Sequence, residues 1–205
     1  MKTLFPMFVK LDGHRVLVVG AGNIAEQKIS TLLPTGANLH VVAREANRRI
    51  QQLAGEGSIA LSERPFRNSD LDGVFIAVVA TSSASLNREI YHEAQRRGIL
   101  CNVVDVPDQC DFYYPAVVQR GDLQIAISTS GQSPSLAQQI RVRLEKQYGP
   151  GYAGWVAELG KTRRKILASA LETQEKRRLL QSLASEEAFE EAAKNQTRAE
   201  QRNIA

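Results

Sequence analysis

Short apolar runs alternate with segments of helical period over the first half of the chain. Runs of strand length occupy residues 15–20, 38–43, 58–64, 73–80 and 99–104. The segments 23–36, 45–55 and 83–98 carry apolar residues three and four positions apart and end near a glycine. Strands and helices in this alternation predict a parallel, doubly wound sheet, which is an α/β fold.

The pattern changes after residue 111. Residues 112–129 predict two strands joined by a tight turn, and residues 133–149 predict a helix with Pro134 at its first position. The rest of the chain has a helical period. We therefore expect a Rossmann-type domain over 1–111, a hairpin-and-helix region over 112–149 and a small all-helical domain over 150–205. The hairpin is too apolar for a free edge, so we expect it to pair with a second copy in a homodimer.

Composition narrows the class of protein only a little. Apolar residues make up 43% of the chain and charged residues 23%, which is ordinary for a globular protein. No apolar run has the length of a membrane span and no signal peptide is evident, so we expect a cytoplasmic protein without a membrane or nucleic-acid partner. Cys101 and Cys110 lack the spacing of a zinc site, and we expect no bound metal and no disulfide.

A glycine-rich loop lies between the first strand and the first helix. Its sequence G-A-G-N-I-A matches the dinucleotide-binding pattern G-x-G-x-x-A. Gly20 permits the tight turn, Gly22 leaves room for a pyrophosphate, and Ala25 allows close packing of helix and strand. The N–H groups of Asn23 and Ile24 then face the ligand from the helix N-terminus. The loop predicts a bound dinucleotide.

The end of the second strand departs from the usual dinucleotide pattern. No acid stands there to bind a ribose 2′-hydroxyl; Arg44 follows the strand and Glu45 comes next. Arg44 is suited either to a 2′-phosphate or to contact with the adenine, and Glu45 is suited to the ribose. The residues alone leave the choice between NAD and NADP open.

Three positions are expected at the same edge of the predicted sheet. Ligands of doubly wound sheets bind at the carboxyl ends of the strands. Gly20 follows the first strand, Thr81 follows the fourth and Asp105 follows the fifth. Asp105 is a candidate site residue, because its carboxylate would line the crevice at this edge. The alternative is that Asp105 only caps a turn.

Several segments together resemble a known family. They are the opening FPMFVKLDGHRVLVVGAGNIAEQK, the segment ATSSASLN, and the long segment CNVVDVPDQCDFYYPAVVQRGDLQIAISTSGQSPSLAQQIRVRLE. With the helical tail they are similar to precorrin-2 dehydrogenase, the family of the N-terminal module of siroheme synthase. N-V-V-D and S-T-S-G-x-S-P are its specific motifs.

The resemblance implies NAD-dependent oxidation of precorrin-2 to sirohydrochlorin in a homodimer, with ferrous iron insertion to siroheme as a second activity. Asp105 matches the aspartate to which both activities are attributed. Asn23, Ile24, Arg44 and Glu45 match positions that contact NAD in the family. The segment ATSSASLN carries Ser82 and Ser83 where the family often has acids.

A run of hydroxyl side chains leads into the helix that is predicted over 133–149. Because precorrin-2 carries many carboxylates, Ser128, Thr129, Ser130 and Ser133 are candidate substrate-binding residues, together with the helix N-terminus. An ordinary helix cap would account for Ser133 alone. Thr129 also falls where one relative carries a phosphorylatable serine.

An alternative interpretation of the sequence places the chain in another class of protein. The chain would then be a non-catalytic dimer that senses NAD, with the Rossmann half as sensor and the helical tail as output. A sensor of this kind has no need of Asp105 or of the hydroxyl run, which favours the enzyme.

Overall fold

The computed structural model describes residues 3–185 and 187–192. It divides the chain into two compact units, the first ending at Tyr114 and the second beginning at Pro115. Within the described part, no helix is long and apolar enough to cross a membrane.

The first unit is built on a five-stranded parallel sheet. The strand order is β3-β2-β1-β4-β5, so the chain winds outwards in both directions from β1. Its strands are β1 (Arg15–Val19), β2 (Asn38–Ala43), β3 (Ala60–Glu63), β4 (Ile76–Val79) and β5 (Leu100–Val103). The predicted parallel, doubly wound sheet is confirmed.

Apolar side chains are buried on both faces of this sheet. Successive residues of β1 point to opposite faces, and the two hydrophobic clusters divide them accordingly. Val16 and Val18 belong to one cluster, with Ile29 of the first helix. Leu17 and Val19 belong to the other, with Ile90 of the third helix. This two-sided burial is the reason that a central strand such as β4 is a continuous apolar run, whereas the edge strand β3 has no buried residue.

Three α-helices connect strands of the sheet, and all three are shorter than the segments predicted for them. They are α1 (Asn23–Leu32), α2 (Arg48–Gly55) and α3 (Ala84–Arg96). After α1 the chain tightens into a 3₁₀ turn, Leu33–Thr35, at the proline. The helix α2 begins later than the periodicity suggested, because the side chain of Asn47 accepts the N–H of Ile50 and caps it.

The second unit contains a hairpin and helices. Its antiparallel strands are β6 (Ala116–Arg120) and β7 (Leu123–Ile127), and its helices are α4 (Pro134–Gln147), α5 (Gly151–Ala168) and α6 (Thr173–Leu183). Residues 187–192 are also helical. The rest of the predicted helical tail, residues 193–205, lies outside the described residues.

The core of the second unit is small. Among the described residues, its buried apolar side chains are Val118, Ala137 and Ile166. Trp155 makes an aromatic cluster with Tyr152 and lies half-buried rather than in a closed core. The sequence interpretation of Trp155 as a packing residue agrees with these contacts.

Candidate functional site

Gly20 is required by the fold of the first unit. Its φ is +109°, a conformation that side-chain-bearing residues rarely adopt, and an added Cβ would lie 2.3 Å from the carbonyl oxygen of Ala80. Its own N–H donates to the carbonyl of Val42 at 2.9 Å. Gly20 therefore serves the close approach of the loop to the end of β4.

Gly22 is a different case. Its φ of −89° and ψ of −171° suit any residue, and an added Cβ would meet no atom within 4 Å. Neither backbone conformation nor packing within the protein therefore requires a glycine at this position. The open space in front of Gly22 fits a ligand that approaches the backbone closely, as a dinucleotide pyrophosphate does.

The N-terminus of α1 adds donors to the same space. Gly22 is its N-cap, and no side chain caps the helix. Asn23 and Ile24 are exposed and lie in the first turn, where N–H groups have no partner within the helix, whereas Ala25 is fully buried. Uncapped N–H groups at a helix N-terminus favour a negatively charged ligand.

The loop after β2 lies against the glycine loop. The N–H of Asn47 donates to the carbonyl of Ala21 at 3.0 Å, and its amide nitrogen Nδ2 donates to Glu26 Oε2 at 2.7 Å. Arg44 and Glu45 precede it, both exposed and without a hydrogen bond or ion pair to any described residue. They remain available to a ligand. Sequence reasoning missed Asn47, although an Asn before a helix is a usual cap.

Thr81 organises the turn before α3. Its hydroxyl donates to Asn87 Oδ1 at 2.5 Å and accepts the N–H of Ser83 at 3.1 Å. The Asn87 amide donates back to the Thr81 carbonyl at 3.1 Å. The hydroxyl is thus engaged within the protein, which leaves one lone pair for a ligand. The buried Asn87 was not identified from the sequence.

Asp105 occupies a turn that favours glycine or asparagine. The N–H of Val106 donates to the carbonyl of Val103 at 3.2 Å, which makes Asp105 the third residue of a β-turn, with a φ of +62°. Its side chain is exposed and accepts no hydrogen bond from any described residue. The alternative that Asp105 only caps the turn is therefore disfavoured, because its carboxylate caps nothing.

The loop after Asp105 is tied back to β5 by side chains. Asn102 Nδ2 donates to the carbonyl of Phe112 at 2.8 Å, and Asp111 Oδ2 accepts the N–H of Cys101 at 2.8 Å. The thiol of Cys110 donates to the carbonyl of Val103 at 3.1 Å. These bonds fix the turn that presents Asp105. No sequence pattern identified them, since each joins residues that meet only when the loop closes.

The predicted sheet edge is present in the first unit. β1 pairs with β4, and β4 pairs with β5, with Val19, Val79 and Val103 in register. Gly20 comes directly after Val19, and Thr81 and Asp105 come two residues after the other two. The structure therefore brings the glycine loop, Thr81 and Asp105 to one edge.

The hydroxyl run belongs to the second unit and is folded upon itself. Ser128 Oγ accepts the N–H of Ser130, Thr129 Oγ1 accepts the N–H of Ser133, and Ser133 Oγ caps α4 at the N–H of Leu136. Fewer N–H groups of the loop are therefore free than the sequence suggested. The hydroxyl hydrogens remain as donors.

The turn within this run is also unusual. Ser130 has a φ of +52° and Gly131 a φ of +79°, in a turn closed by the N–H of Gln132 and the carbonyl of Thr129. Two positive φ values in sequence characterise a type I′ turn. In the described part of the chain, Asp105 and Ser130 are the non-glycine residues with positive φ. Both stand among the site residues that the sequence predicted, and strained backbone of this kind concentrates at functional sites.

Across residues 3–185 and 187–192, no group of three or more His, Cys, Asp or Glu side chains is arranged to hold a metal ion. Both cysteines are free.

Family models match both units. Residues 7–116 match a family described as putative NAD(P)-binding, and residues 120–147 match the central region of sirohaem biosynthesis proteins. The fold and the glycine loop thus define an NAD(P)-binding protein.

Relatives narrow this class further. The chain is 44% identical to siroheme synthase of Ectopseudomonas mendocina over 76% of its length and 33% of the relative's. It is 38% identical to siroheme synthase of Neisseria meningitidis serogroup C over 85% of its length and 36% of the relative's. It therefore spans about a third of the curated relatives that it matches.

A solved structure covers almost the whole chain. SirC, a precorrin-2 dehydrogenase, is 27% identical and superposes with a TM-score of 0.81 over 98% of this chain and 100% of that one. The chain belongs to the siroheme-biosynthesis family that includes precorrin-2 dehydrogenase and siroheme synthase.

Proposed function

We propose that the chain catalyses the NAD-dependent oxidation of precorrin-2 to sirohydrochlorin. One observation carries the proposal. An exposed and unpaired carboxylate, Asp105, is held in a strained turn at the same sheet edge as a glycine loop that is open to a dinucleotide. The similarity to SirC, whose name gives this reaction, supports the choice of substrate.

The residues divide the work as follows. Gly22 and the N–H groups of Asn23 and Ile24 receive the pyrophosphate of NAD, and Arg44 and Glu45 lie beside its adenosine half. NAD, when bound, supplies the hydride acceptor. Asp105 accepts a proton that the macrocycle loses together with the hydride. This assignment needs a free carboxylate, which Asp105 is.

The hydroxyl run is the proposed substrate-binding segment of the second unit. Ser128, Thr129 and Ser133 use their oxygens to accept N–H groups of their own loop, so their hydrogens can be donated to carboxylates of the macrocycle. Ser130, whose hydroxyl has no hydrogen bond to a described residue, provides a further donor.

The decisive experiment mixes the chain with precorrin-2 and NAD and follows NADH absorbance. We expect NADH to appear with the wild type. Replacing Asp105 with Asn keeps a residue that tolerates positive φ but cannot accept the proton. Turnover should then fall about 10²- to 10⁴-fold while NAD affinity is kept.

Asp108→Asn is the matched control, because Asp108 is an exposed acid of the same loop and should be dispensable. Near-normal turnover of Asp105→Asn would show that Asp105 is not the base. Absence of NADH with the wild type, together with intact NAD binding, would instead favour the NAD-sensing dimer.

We propose iron insertion into sirohydrochlorin as a second reaction at Asp105. Metal insertion releases pyrrole protons, so it also needs a base. The names of the curated relatives support it, since siroheme is the iron-containing product. The measurement is the absorbance change of sirohydrochlorin with ferrous iron, and Asp105→Asn should lose it. A rate equal to that without protein would exclude this activity.

We propose that the chain works as a homodimer. A two-stranded ribbon is marginally stable alone, and β6 exposes Val117 at 39% of its surface. Pairing with a second copy would cover this ribbon. Light scattering should give twice the chain mass at micromolar concentration, and a monomer mass would contradict the proposal. The cytoplasmic location stays a prediction.

A further inference from the structure

Lys28 lies over the face of an aromatic ring in the first unit. Its Nζ is 4.0 Å from the centroid of the Tyr114 ring. Tyr114 packs against the hydrophobic cluster below α1, and its ring lies 5.7 Å from that of Phe112. Cation–π contact with a ring fixed in this way holds the ammonium group in one place.

No carboxylate of the described residues is in contact with the ammonium of Lys28. It makes no hydrogen bond or ion pair with any described residue, so its three N–H donors are available. The side chain is half-buried, and burial lowers the pKa of Lys28, while the charges of Asp105 and Cys110 act in the opposite direction. The charge of Asp105 is therefore close to Lys28, although the two side chains do not form an ion pair.

Holding an ammonium group partly out of water without an acceptor is unfavourable. Lys28 is held in this state by Tyr114, whose hydroxyl is itself buried and unpartnered in the described part of the chain. Burial raises the pKa of Tyr114 to about 12, so the ring is neutral and the tyrosine contributes its aromatic face. The arrangement offers a pre-positioned cation to an anion that arrives at the Asp105 edge.

We infer that Lys28 binds a carboxylate side chain of the substrate and that the Tyr114 ring positions its ammonium group for this contact. The inference rests on the proposed function, because it takes a polycarboxylate macrocycle as the ligand. The inference adds a second role at the Asp105 edge. Asp105 faces the reacting part of the macrocycle, and Lys28 binds a carboxylate at the periphery of the macrocycle. The direct contact makes Lys28 a binding residue, and Tyr114 a positioning residue.

The test measures KM and kcat for precorrin-2 at saturating NAD in Lys28→Met and Lys28→Arg. Methionine keeps most of the apolar stem without the charge, and arginine keeps the charge. We expect KM to rise about 10- to 100-fold in Lys28→Met, as for a lost hydrogen bond to a charged group. We expect kcat and NAD affinity to stay within about threefold, and Lys28→Arg to recover most of the KM.

Lys161→Met is the control for the loss of one positive charge, because Lys161 is an exposed lysine paired with Glu158. It should behave as the wild type. Tyr114→Phe keeps the ring and should change KM little, whereas Tyr114→Leu should raise it. Equal effects of the two tyrosine variants would overturn the positioning role of the ring.

The outcomes separate this inference from the proposed function. Turnover by the wild type with unchanged KM in Lys28→Met overturns the inference and leaves the function intact. A loss of kcat without a change in KM also overturns it, since it would place Lys28 in the chemical step. No turnover by the wild type overturns the function and the inference with it.

Discussion

The two units differ in how much apolar surface they bury. The first encloses both faces of its sheet, with side chains such as Leu17, Val18 and Ile90 fully removed from solvent. The second is somewhat shorter, but within its described part it buries only three apolar side chains and leaves Leu136 and Val142 more than two-fifths exposed. Hydrophobic burial is the main source of folding stability.

The difference in buried apolar surface matters because each unit carries a strained turn among the candidate site residues. The first unit has a large core, and its burial can offset the strain of the positive φ at Asp105. The second unit carries a similarly strained turn at Ser130 on a much thinner core. Its stability must therefore draw on further burial, for which a second copy of the chain is the proposed source.

The largest expected effect concerns the cofactor and the glycine loop of the first unit. We expect Gly22→Val to abolish NAD binding, because its side chain would fill the space in front of the helix N-terminus. The free energy of unfolding should fall by at most about 1 kcal/mol, the cost of a poorer N-cap. Calorimetric titration and urea unfolding measure the two quantities.

Gly20→Ala provides the contrast within the same loop. Its Cβ would collide with Ala80 and its φ is positive, so strain alone should cost about 1–3 kcal/mol of stability. For the Gly22→Val variant of the preceding prediction, unchanged NAD affinity would show that the glycine loop does not bind NAD.

The next largest effect tests the two cores directly. Leu17→Ala should lower the free energy of unfolding by about 2–5 kcal/mol, because it leaves a cavity in a closed core. Leu136→Ala removes the same atoms from a side chain that is 46% exposed, and should cost much less in the monomeric chain. Urea unfolding at low protein concentration compares them. Equal losses would contradict the proposed difference between the units.

A smaller effect distinguishes the ion pairs of the two units by pH. Asp70 is 5% exposed and accepts two hydrogen bonds from Arg64, at 2.6 and 2.9 Å. The Arg64 guanidinium holds the pKa of Asp70 below its usual value, with the N–H of Arg67 acting in the same direction. This stabilisation is present above the unfolded pKa near 4 and is lost as pH falls through the lower folded pKa.

Asp70→Asn should therefore cost about 1–3 kcal/mol near neutral pH and progressively less in acid. Urea unfolding across this pH range measures the difference from the wild type. Glu158→Gln breaks an exposed pair of the second unit, Glu158 with Lys161, and should show little change at any pH. A pH-independent loss in Asp70→Asn would mean that the charge of Asp70 is not what stabilises the first unit.

The smallest expected effect is a gain. Asp105→Gly relieves the positive φ and should raise the free energy of unfolding by about 1 kcal/mol, while it removes turnover. Thermal unfolding and the NADH assay are the two measurements. A loss of stability would show that the carboxylate makes a favourable interaction that the turn depends on.

The sheet could be predicted because each of its strands can be recognised from a short stretch of sequence. A strand buried on both faces is apolar throughout, as β4 is, and each run from 15–20 to 99–104 contains a strand. The edge strand β3 has no buried residue and includes Ser62 and Glu63. The start of α2 could not be read from periodicity, because the cap at Asn47 overrides it. The cap is also encoded locally, and a search of the sequence for N-cap residues would have placed the start of α2 correctly.

The parts of the site that escaped prediction depend on contacts between distant residues. The contact of Lys28 could not be predicted from its helix, because only the fold brings the Tyr114 ring to its ammonium group. Asn102 reads as a polar break in an apolar strand until the loop closes and Phe112 accepts its amide. The position of Asp105 could be predicted from the strand end, but its left-handed backbone and its unpaired carboxylate could not.

The turn at Asp105 has a consequence for laboratory evolution. A screen that rewards only heat resistance would select glycine or asparagine at this position, since both relax the backbone. If Asp105 is the base that we propose, every such variant would be a better folded but inactive protein. Sequence libraries designed by stability alone should then hold this codon fixed, and a natural gene that carries glycine there is expected to encode the scaffold without the reaction.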